Sequence, residues 1–478
     1  MQQAARFAPI GVFFAAFLLY VPSFDALFAV LDFNHLDAIR STDASTFFLR
    51  IFDPSDGGRT IIGTGDLYRP IYYTVFWFEY QAFGTEPLPY YVFSTTLHAV
   101  NAVLVYALAK RLSHSTLAAL AGAIIWAFHP QYADAVAWVS STTDLLLVFF
   151  GLIAVLCYAR ALELKGRSRA GLVAASFCAT LLALGAKESG IVLVPIIAGY
   201  HVLLGDRDLI RERRLPRELL PFVVIPLVYF PIRAALVGNL AADGGNEILS
   251  WDVFRNIHIL ASLTAAPLVG EPASTSAFGV GQGAAGIGVL AAVALTVIVG
   301  SRREWFLAGW FFVAMAPVLI FPQVWLIGRY LYLPFVGVAI LAGMGVKRTV
   351  EMISLWSVEA VRAGATGVVR IGAAGALVAG VMVWLGWLNI ANQNLITAKG
   401  EEAGAFIAEL KETYPQLPAD GRLIVTQHPR SLSFAPNDGM MLRSAVRIAY
   451  DSDVEVITPW HLRRGGAAPT ELDLWYPP

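Results

Sequence analysis

Charge is what this chain has least of. Only 14% of its 478 residues are Asp, Glu, Lys or Arg, whereas 57% are hydrophobic, and the mean hydropathy is +0.62. A soluble domain carries about 25% charged residues, so a water-soluble fold would have no means of hiding this much apolar surface. Neither sign is in excess: the net charge is -1 and the pI is near 6.7. That argues against a nucleic-acid partner, because neutralising phosphates takes a basic surface. Cysteine is scarce as well. Cys157 and Cys178 both sit in apolar runs, where they act as small hydrophobic fillers, and they imply no disulfide framework. HExxH, paired CxxC, a phosphate loop and a nucleophile elbow are all missing. The histidines are too scattered to predict a metal site, and there is no tandem repeat or low-complexity tract.

What is present is a series of long apolar runs. The first covers 7–20, follows Arg6, and continues through Pro22 and Phe24 to Leu31 without a small-residue cleavage site. It therefore reads as a retained span rather than a signal peptide. One helix over all of it would measure about 37 Å and would have to tilt or emerge from the hydrocarbon. Further stretches long enough to cross lie at 89–109, 116–128, 136–159, 170–186, 189–205, 219–237, 283–300, 304–321, 328–346 and 371–390, making about eleven spans. The stretch 251–270 contains Asp252, Arg255, His258 and Pro267, and could span, re-enter or lie in the interface.

Lys and Arg are retained on the cytoplasmic side of a membrane. They fall at Lys110 and Arg111; at Arg160, Lys165, Arg167 and Arg169; at Arg207, Arg211, Arg213, Arg214 and Arg217; and at Arg302, Arg303, Lys347, Arg348, Arg362 and Arg370. Eleven spans with the N-terminus inside place all these loops in the cytoplasm provided that 251–270 does not cross fully; if it crosses, Arg302 and Arg303 move outside, a mild violation of the rule. The periplasmic face of a bacterial inner membrane then carries the loop 32–88, with eight acidic residues against four arginines, and the C-terminal tail. That first loop is too long for a connector and predicts interfacial helices such as Tyr73 to Phe83 around Glu79. In the tail, Glu401 to Lys411 reads as a helix, and RLIVTQ (422–427) and VEVITP (454–459) as short strands. The expected architecture is an all-α polytopic domain over 1–390 with a small α/β extramembrane domain over 391–478.

Ionisable side chains near membrane depth cost several kcal/mol unless paired or facing water, so each is a functional candidate. Four clusters map to the outer boundary: Asp32, Asn34, His35 and Asp37; His129, Asp134 and Asp144; Lys187 and Glu188; and Arg329, Tyr330 and Tyr332. A hollow there, walled by apolar helices, suits a lipid-tailed substrate with a charged polar head. Each cluster also has a plainer reading. Asp32 is either a helix cap or a catalytic base, and Asp37 a solvated or capping residue. His129 before Pro130 ends a span, Asp134 and Asp144 sit at helix N-termini, and Lys187 pairs with Glu188. Arg329 suits a bidentate grip on a lipid phosphate, against a snorkelling anchor. His98 and Asn101 read as interhelical hydrogen-bond partners.

The strings YRPIYYTVFWFEYQAFGTEPLPYYVFSTTLHAVNAVLVYALAKRL (68–112), WAFHPQYADAVAWVSSTTDLL (126–146), LLALGAKESGIVLVP (181–195) and GRYLYLPFVGVA (328–339) resemble, in order, the membrane part of the GT-C glycosyltransferases. Within that group they look like bacterial relatives of protein O-mannosyltransferases and of the transmembrane tetratricopeptide-containing mannosyltransferases. The resemblance implies a GT-C-like membrane enzyme that moves a sugar from a polyprenyl-phosphate carrier to a protein, lipid or envelope-glycan acceptor, with inversion. By position Asp32 would be the catalytic base. Asp37, Tyr68, Arg69, His129, Asp134, Asp144, Lys187, Glu188, Arg329, Tyr330 and Tyr332 would form the substrate site. Outer carboxylates leave a divalent cation as an option. Three departures from the pattern stand out: Leu31 replaces an acidic neighbour of Asp32, Thr142 an arginine, and Gly328 a carboxylate. They motivate an alternative, a catalytically degenerate GT-C scaffold serving an envelope complex, with 391–478 as its surface for a protein partner.

Overall fold

The computed structural model describes residues 2–62, 67–205, 216–237, 251–269, 280–319, 328–356, 366–417, 422–425, 429, 432, 440–457 and 473–474. Of the basic loop residues used for orientation, Arg207, Arg211, Arg213, Arg214 and Arg362 lie outside this set.

The described helices are α1 (Gln2–Leu19), α2 (Asp32–Arg40), α3 (Ala44–Phe52), α4 (Arg59–Ile62), α5 (Pro70–Phe83), α6 (Pro87–Ser113), α7 (Thr116–Ala127), α8 (Ala133–Val136), α9 (Thr142–Ala161) and α10 (Gly166–Ala186). They continue with α11 (Leu193–Leu204), α12 (Leu220–Val237), α13 (Trp251–Val269), α14 (Val280–Val299), α15 (Arg302–Met315), α16 (Phe335–Trp356), α17 (Thr366–Thr413) and α18 (Met440–Tyr450). Each of the eleven expected apolar stretches is occupied by one of them. Among the described residues, five segments are long and apolar enough to cross a membrane: Arg6–Asp25, Pro87–Ser113, Val139–Ala161, Gly166–Ala186 and Gly375–Thr413. Four shorter apolar helices accompany them. The chain is a multi-pass membrane protein.

The structure departs from the expected boundaries where proline or glycine intervenes. The first helix stops at Leu19 and gives way to a 3-10 turn over Val21–Asp25, because Pro22 biases the residue before it away from the helical region. No helix continues to Leu31, so no over-long span needs to tilt. The stretches that begin at 136, 189 and 328 each open on short 3-10 turns before their helices start. Residues 251–269 form one helix of 19 residues, about 28 Å long. The last span runs through position 390 without a break, because α17 covers 48 residues.

Contacts divide the chain into two compact units. The first comprises 1–21, 95–136 and 143–392. In it α7 and α16 meet backbone to backbone, since a Cβ at Gly122 would lie 3.1 Å from the Ala339 carbonyl and one at Gly343 would collide with the Ala118 carbonyl. Small residues at such crossings are the usual means of helix association in lipid. The second unit comprises 22–94, 137–142 and 393–478, so the first loop packs with the tail. There α2 packs on α18, and three parallel strands, β1 (Arg422–Val425), β2 (Glu455–Ile457) and β3 (Asp473–Leu474), form a sheet in the order β2-β1-β3. Ile424 is in register with Ile457 and with Asp473.

Candidate functional site

In the second unit the polar residues gather around Asp32. The turn before α2 is strained: Val30 has φ of 52°, a left-handed conformation costly for a β-branched side chain. Within that turn the Ala29 N–H donates to Asp32 Oδ2 at 3.0 Å. Ser140 donates its N–H to Oδ1 at 2.8 Å, and its hydroxyl donates to the same oxygen. These bonds run backward to Ala29 and across to Ser140, so the capping alternative is not how the carboxylate is used. Asp32 is fully buried. Burial pushes its carboxyl up to about 6, against the opposing pull of the Ala29, Ser140 and Trp138 donors.

His35 lies one turn along α2. Its Nδ1 is 2.9 Å from the Tyr72 hydroxyl and 3.3 Å from Ser140 Oγ, and Tyr72, Tyr73 and Phe76 pack against its ring. Burial, and then the Arg69 charge, lower its pKa to about 3, so it is neutral at physiological pH. Arg69 is half-buried at the start of α5, and the neighbouring Tyr68 hydroxyl donates to the Phe52 carbonyl at 3.4 Å. Asp37 is buried rather than solvated or capping. It accepts from Arg40 at 3.0 Å and from the Ser444 hydroxyl at 3.3 Å, with Arg447 at 3.7 Å. Asp37 thus fastens α2 to α18, and the acidic partner that Leu31 fails to provide for Asp32 does not come from it.

Glu79, on the buried face of α5, has neither carboxyl oxygen hydrogen-bonded, and burial pushes its pKa up to about 8. An acid whose folded pKa exceeds its unfolded value of 4.5 makes the folded state hold the extra proton. Stability therefore falls as pH rises from about 4.5 to about 8 and then levels off. Glu79→Gln removes that dependence. The variant is expected to match wild type near pH 4.5 and to exceed it by roughly 3 kcal/mol at pH 7, as read by thermal unfolding in detergent across pH 4.5–9.

In the first unit a second constellation forms from three separate chain segments. Lys187 leaves the end of α10 in an extended conformation. The tight turn after it is possible because a Cβ at Gly190 would strike the backbone of Ala183 and Leu184. The Lys187 ammonium pairs with Asp144, in the first turn of α9, at 2.5 Å, and both are buried. The plainer expectation of a Lys187–Glu188 pair is thus replaced by a longer-range one. Lys187 Nζ also stands 4.9 Å from the ring centre of Tyr330, and the Arg329 guanidinium 5.6 Å from the same ring. Two cations on one aromatic ring repel each other unless an anion sits between them, and Asp144 supplies half of that compensation. Arg329, Tyr330 and Glu188 are half-buried. Asp134 is half-buried too, within electrostatic reach of the Tyr20 hydroxyl.

Tyr332 and His129 are employed differently. The Tyr332 hydroxyl is 2.8 Å from His98 Nδ1 and receives the Asn101 amide at 3.4 Å, while its carbonyl accepts from the Trp126 indole at 3.1 Å. His98 also reaches the Ala127 carbonyl, and Asn101 donates to that of Leu145, so both bridge helices as expected. His129 Nε2 is 3.3 Å from the Thr264 carbonyl, and its own carbonyl receives the Asn389 amide. Both residues are closed inside an aromatic stack with Tyr132 and Phe335. The unusual glycine before Arg329 has a steric cause, since any Cβ at Gly328 would collide with Gln131. Thr142 is likewise committed, bonding Ser94 Oγ at 3.0 Å and the Val139 carbonyl at 2.8 Å. His35 belongs to the cluster that the sequence marks around Asp32, whereas Ser140 is the contributor that sequence reasoning misses. Ser140 sits in a polar SSTT run with no spacing signal, and only the fold pairs it with a residue 108 positions away. Among the described residues no three of His, Cys, Asp and Glu stand together as metal ligands.

The family model of dolichyl-phosphate-mannose-protein mannosyltransferases matches residues 70–232. A protein O-mannosyl-transferase of Caenorhabditis elegans is 29% identical over 153 residues, 31% of this chain and 21% of its own. Tmtc2 of Drosophila melanogaster is 27% identical over 206 residues, 42% and 22% of the two chains. The chain thus spans about a fifth of the length of these curated relatives. Among solved structures, ArnT from Cupriavidus metallidurans, with undecaprenyl phosphate bound, superposes with a TM-score of 0.55 at 13% identity over 94% of this chain and 85% of its own. AglB from Archaeoglobus fulgidus, in complex with an inhibitory peptide and a dolichol-phosphate, gives 0.51 at 13% identity over 95% and 65%.

Proposed function

We propose that this chain, a membrane protein with the fold of the GT-C glycosyltransferases, transfers a sugar from a polyprenyl-phosphate carrier to a hydroxyl of a protein, lipid or envelope glycan, with inversion at the anomeric carbon. The observation that carries the reading is the Asp32 carboxylate, buried with no cation paired to it among the described residues yet held by Ala29 and Ser140, with a pKa of about 6 suited to a general base near neutral pH. Asp32 takes the proton of the acceptor hydroxyl as that oxygen bonds to the anomeric carbon. The bond from that carbon to the phosphate oxygen breaks, and the lipid phosphate leaves with the electron pair. Arg329 and Lys187 stabilise the charge that develops on the phosphate. Asp144 orients Lys187, and Asp134 and Glu188 serve the sugar or the basic groups. The chain sits in a bacterial inner membrane, where the lysine and arginine distribution supports a cytoplasmic N-terminus and a periplasmic first loop and tail.

The test is transfer from a native lipid extract, with the lipid that copurifies identified by mass spectrometry. Arg329→Ala is expected to lower transfer about a hundredfold, and Arg329→Lys to recover part of it. Undiminished transfer in Arg329→Ala would remove the phosphate role. A stoichiometric envelope protein copurifying in place of a polyprenyl phosphate would favour the structural-subunit alternative.

A further inference from the structure

Reading Asp32 as the base leaves open which of its oxygens accepts the proton and what keeps that oxygen ready. Oδ1 receives two donors from Ser140, the backbone N–H and the hydroxyl, whereas Oδ2 receives the Ala29 N–H. A carboxylate oxygen has about two lone-pair sites. Ser140 therefore fills Oδ1 with two donors, whereas Oδ2 holds the single backbone donor of Ala29.

We propose that Ser140 is the positioning residue of the base, committing Oδ1 of Asp32 to hydrogen bonds so that Oδ2 takes the acceptor's proton, with His35 and Tyr72 fixing the direction of the Ser140 hydroxyl. The inference rests on the reading of Asp32 as a general base. Ser140 is buried, and its hydroxyl lies between Asp32 Oδ1 and His35 Nδ1. Donating its proton to Asp32, the oxygen turns a lone pair toward His35, whose Nδ1 also meets the Tyr72 hydroxyl at 2.9 Å. A neutral His35 suits this place, because an imidazolium would compete with the acceptor's proton for the same carboxylate. The other ionisable groups within electrostatic reach of Asp32 are Tyr72, Tyr90 and Tyr91. Arg69 acts on His35, and Glu79 on Tyr72 and Tyr90. The Trp138 indole contributes the weakest of the donor effects on the carboxylate. Ser140 is thus the one hydroxyl that touches both the base and its histidine neighbour among the described residues.

Hydrogen bonds to a carboxylate favour its ionised form. Removing the Ser140 hydroxyl while keeping the N–H is expected to move the acidic limb of the transfer profile upward by about one to two pH units. The experiment measures transfer from native lipid extract between pH 5 and 9 for the full-length wild type, Ser140→Ala, Ser140→Thr and Asp32→Asn. Ser140→Ala should be roughly three- to thirtyfold slower at pH 6.5 and approach wild type at pH 9, and Ser140→Thr should restore the wild-type limb. A loss in Ser140→Ala that is equal at every pH, or an unmoved limb, overturns the positioning role and leaves Asp32 as the base. Full transfer by Asp32→Asn, or none by wild type, overturns the reading underneath, and the positioning role with it.

Discussion

Asp32→Asn is expected to reduce sugar transfer by about three orders of magnitude while raising the stability of the protein. General bases contribute about 10²- to 10⁴-fold, and an amide nitrogen cannot accept the acceptor's proton. The stability change has the opposite sign. Burial holds the folded carboxyl at about 6 against 3.8 for the free group, so the folded state keeps a proton that the unfolded chain gives up. Stability therefore falls as pH rises from about 3.8 to about 6 and stays lower above that. Asparagine has no such charge to bury. Its carbonyl can take the Ser140 donors, and its amide meets the Ala29 N–H at the loss of one hydrogen bond of about 1 kcal/mol. At pH 7 the sum is a gain of roughly 1–2 kcal/mol. The wild-type profile should lose tenfold in rate per pH unit below about 6. Detergent-phase unfolding and transfer assays on the same preparations check both halves. A destabilised Asp32→Asn that retains transfer contradicts the assignment twice.

That a base of this kind costs stability fits the strain around it. Val30 holds a left-handed backbone two residues before Asp32, and such outliers persist where surrounding structure over-determines them, often at functional sites. Neither feature was legible in the sequence. LDF marks an acidic residue beyond an apolar run, but nothing in it says that a valine will turn left-handed or that a serine 108 positions on will supply two donors. The helices were legible because lipid forces backbone bonds to be satisfied locally, so apolar length alone marks them. Their ends were less so, because Pro22 and Gly190 act through turn geometry rather than hydropathy. The clusters were found as clusters, since charge near an apolar run is rare enough to stand out. Their internal pairing was not, because Asp37 serves a helix of the tail and Lys187 reaches Asp144 instead of its own neighbour. Partner choice at long range depends on packing, which periodicity does not encode.

The Lys187–Asp144 pair gives the second large effect. Both side chains are buried at 2.5 Å separation, and one Asp144 oxygen has no other partner. Removing either member strands the other's charge in a poorly solvated site, a loss of about 3–5 kcal/mol, whereas replacing both with shape-matched neutral groups is often close to neutral. Lys187→Met is therefore expected to unfold far earlier than wild type, and Asp144→Asn to do the same. Lys187→Met combined with Asp144→Asn should regain most of the loss, a coupling that a double-mutant cycle reads directly. Activity separates what stability cannot. If Asp144 only anchors a lysine whose task is to balance phosphate charge beside Tyr330 and Arg329, the double variant will be folded yet slow. Its donor KM should rise at low salt, because a cation has been lost from the phosphate's surroundings. If the pair is merely a strut between α9 and the turn after α10, restoring stability will restore transfer in the same proportion. A folded double variant with wild-type kinetics would therefore remove Lys187 from the phosphate site and leave Arg329 alone in that role.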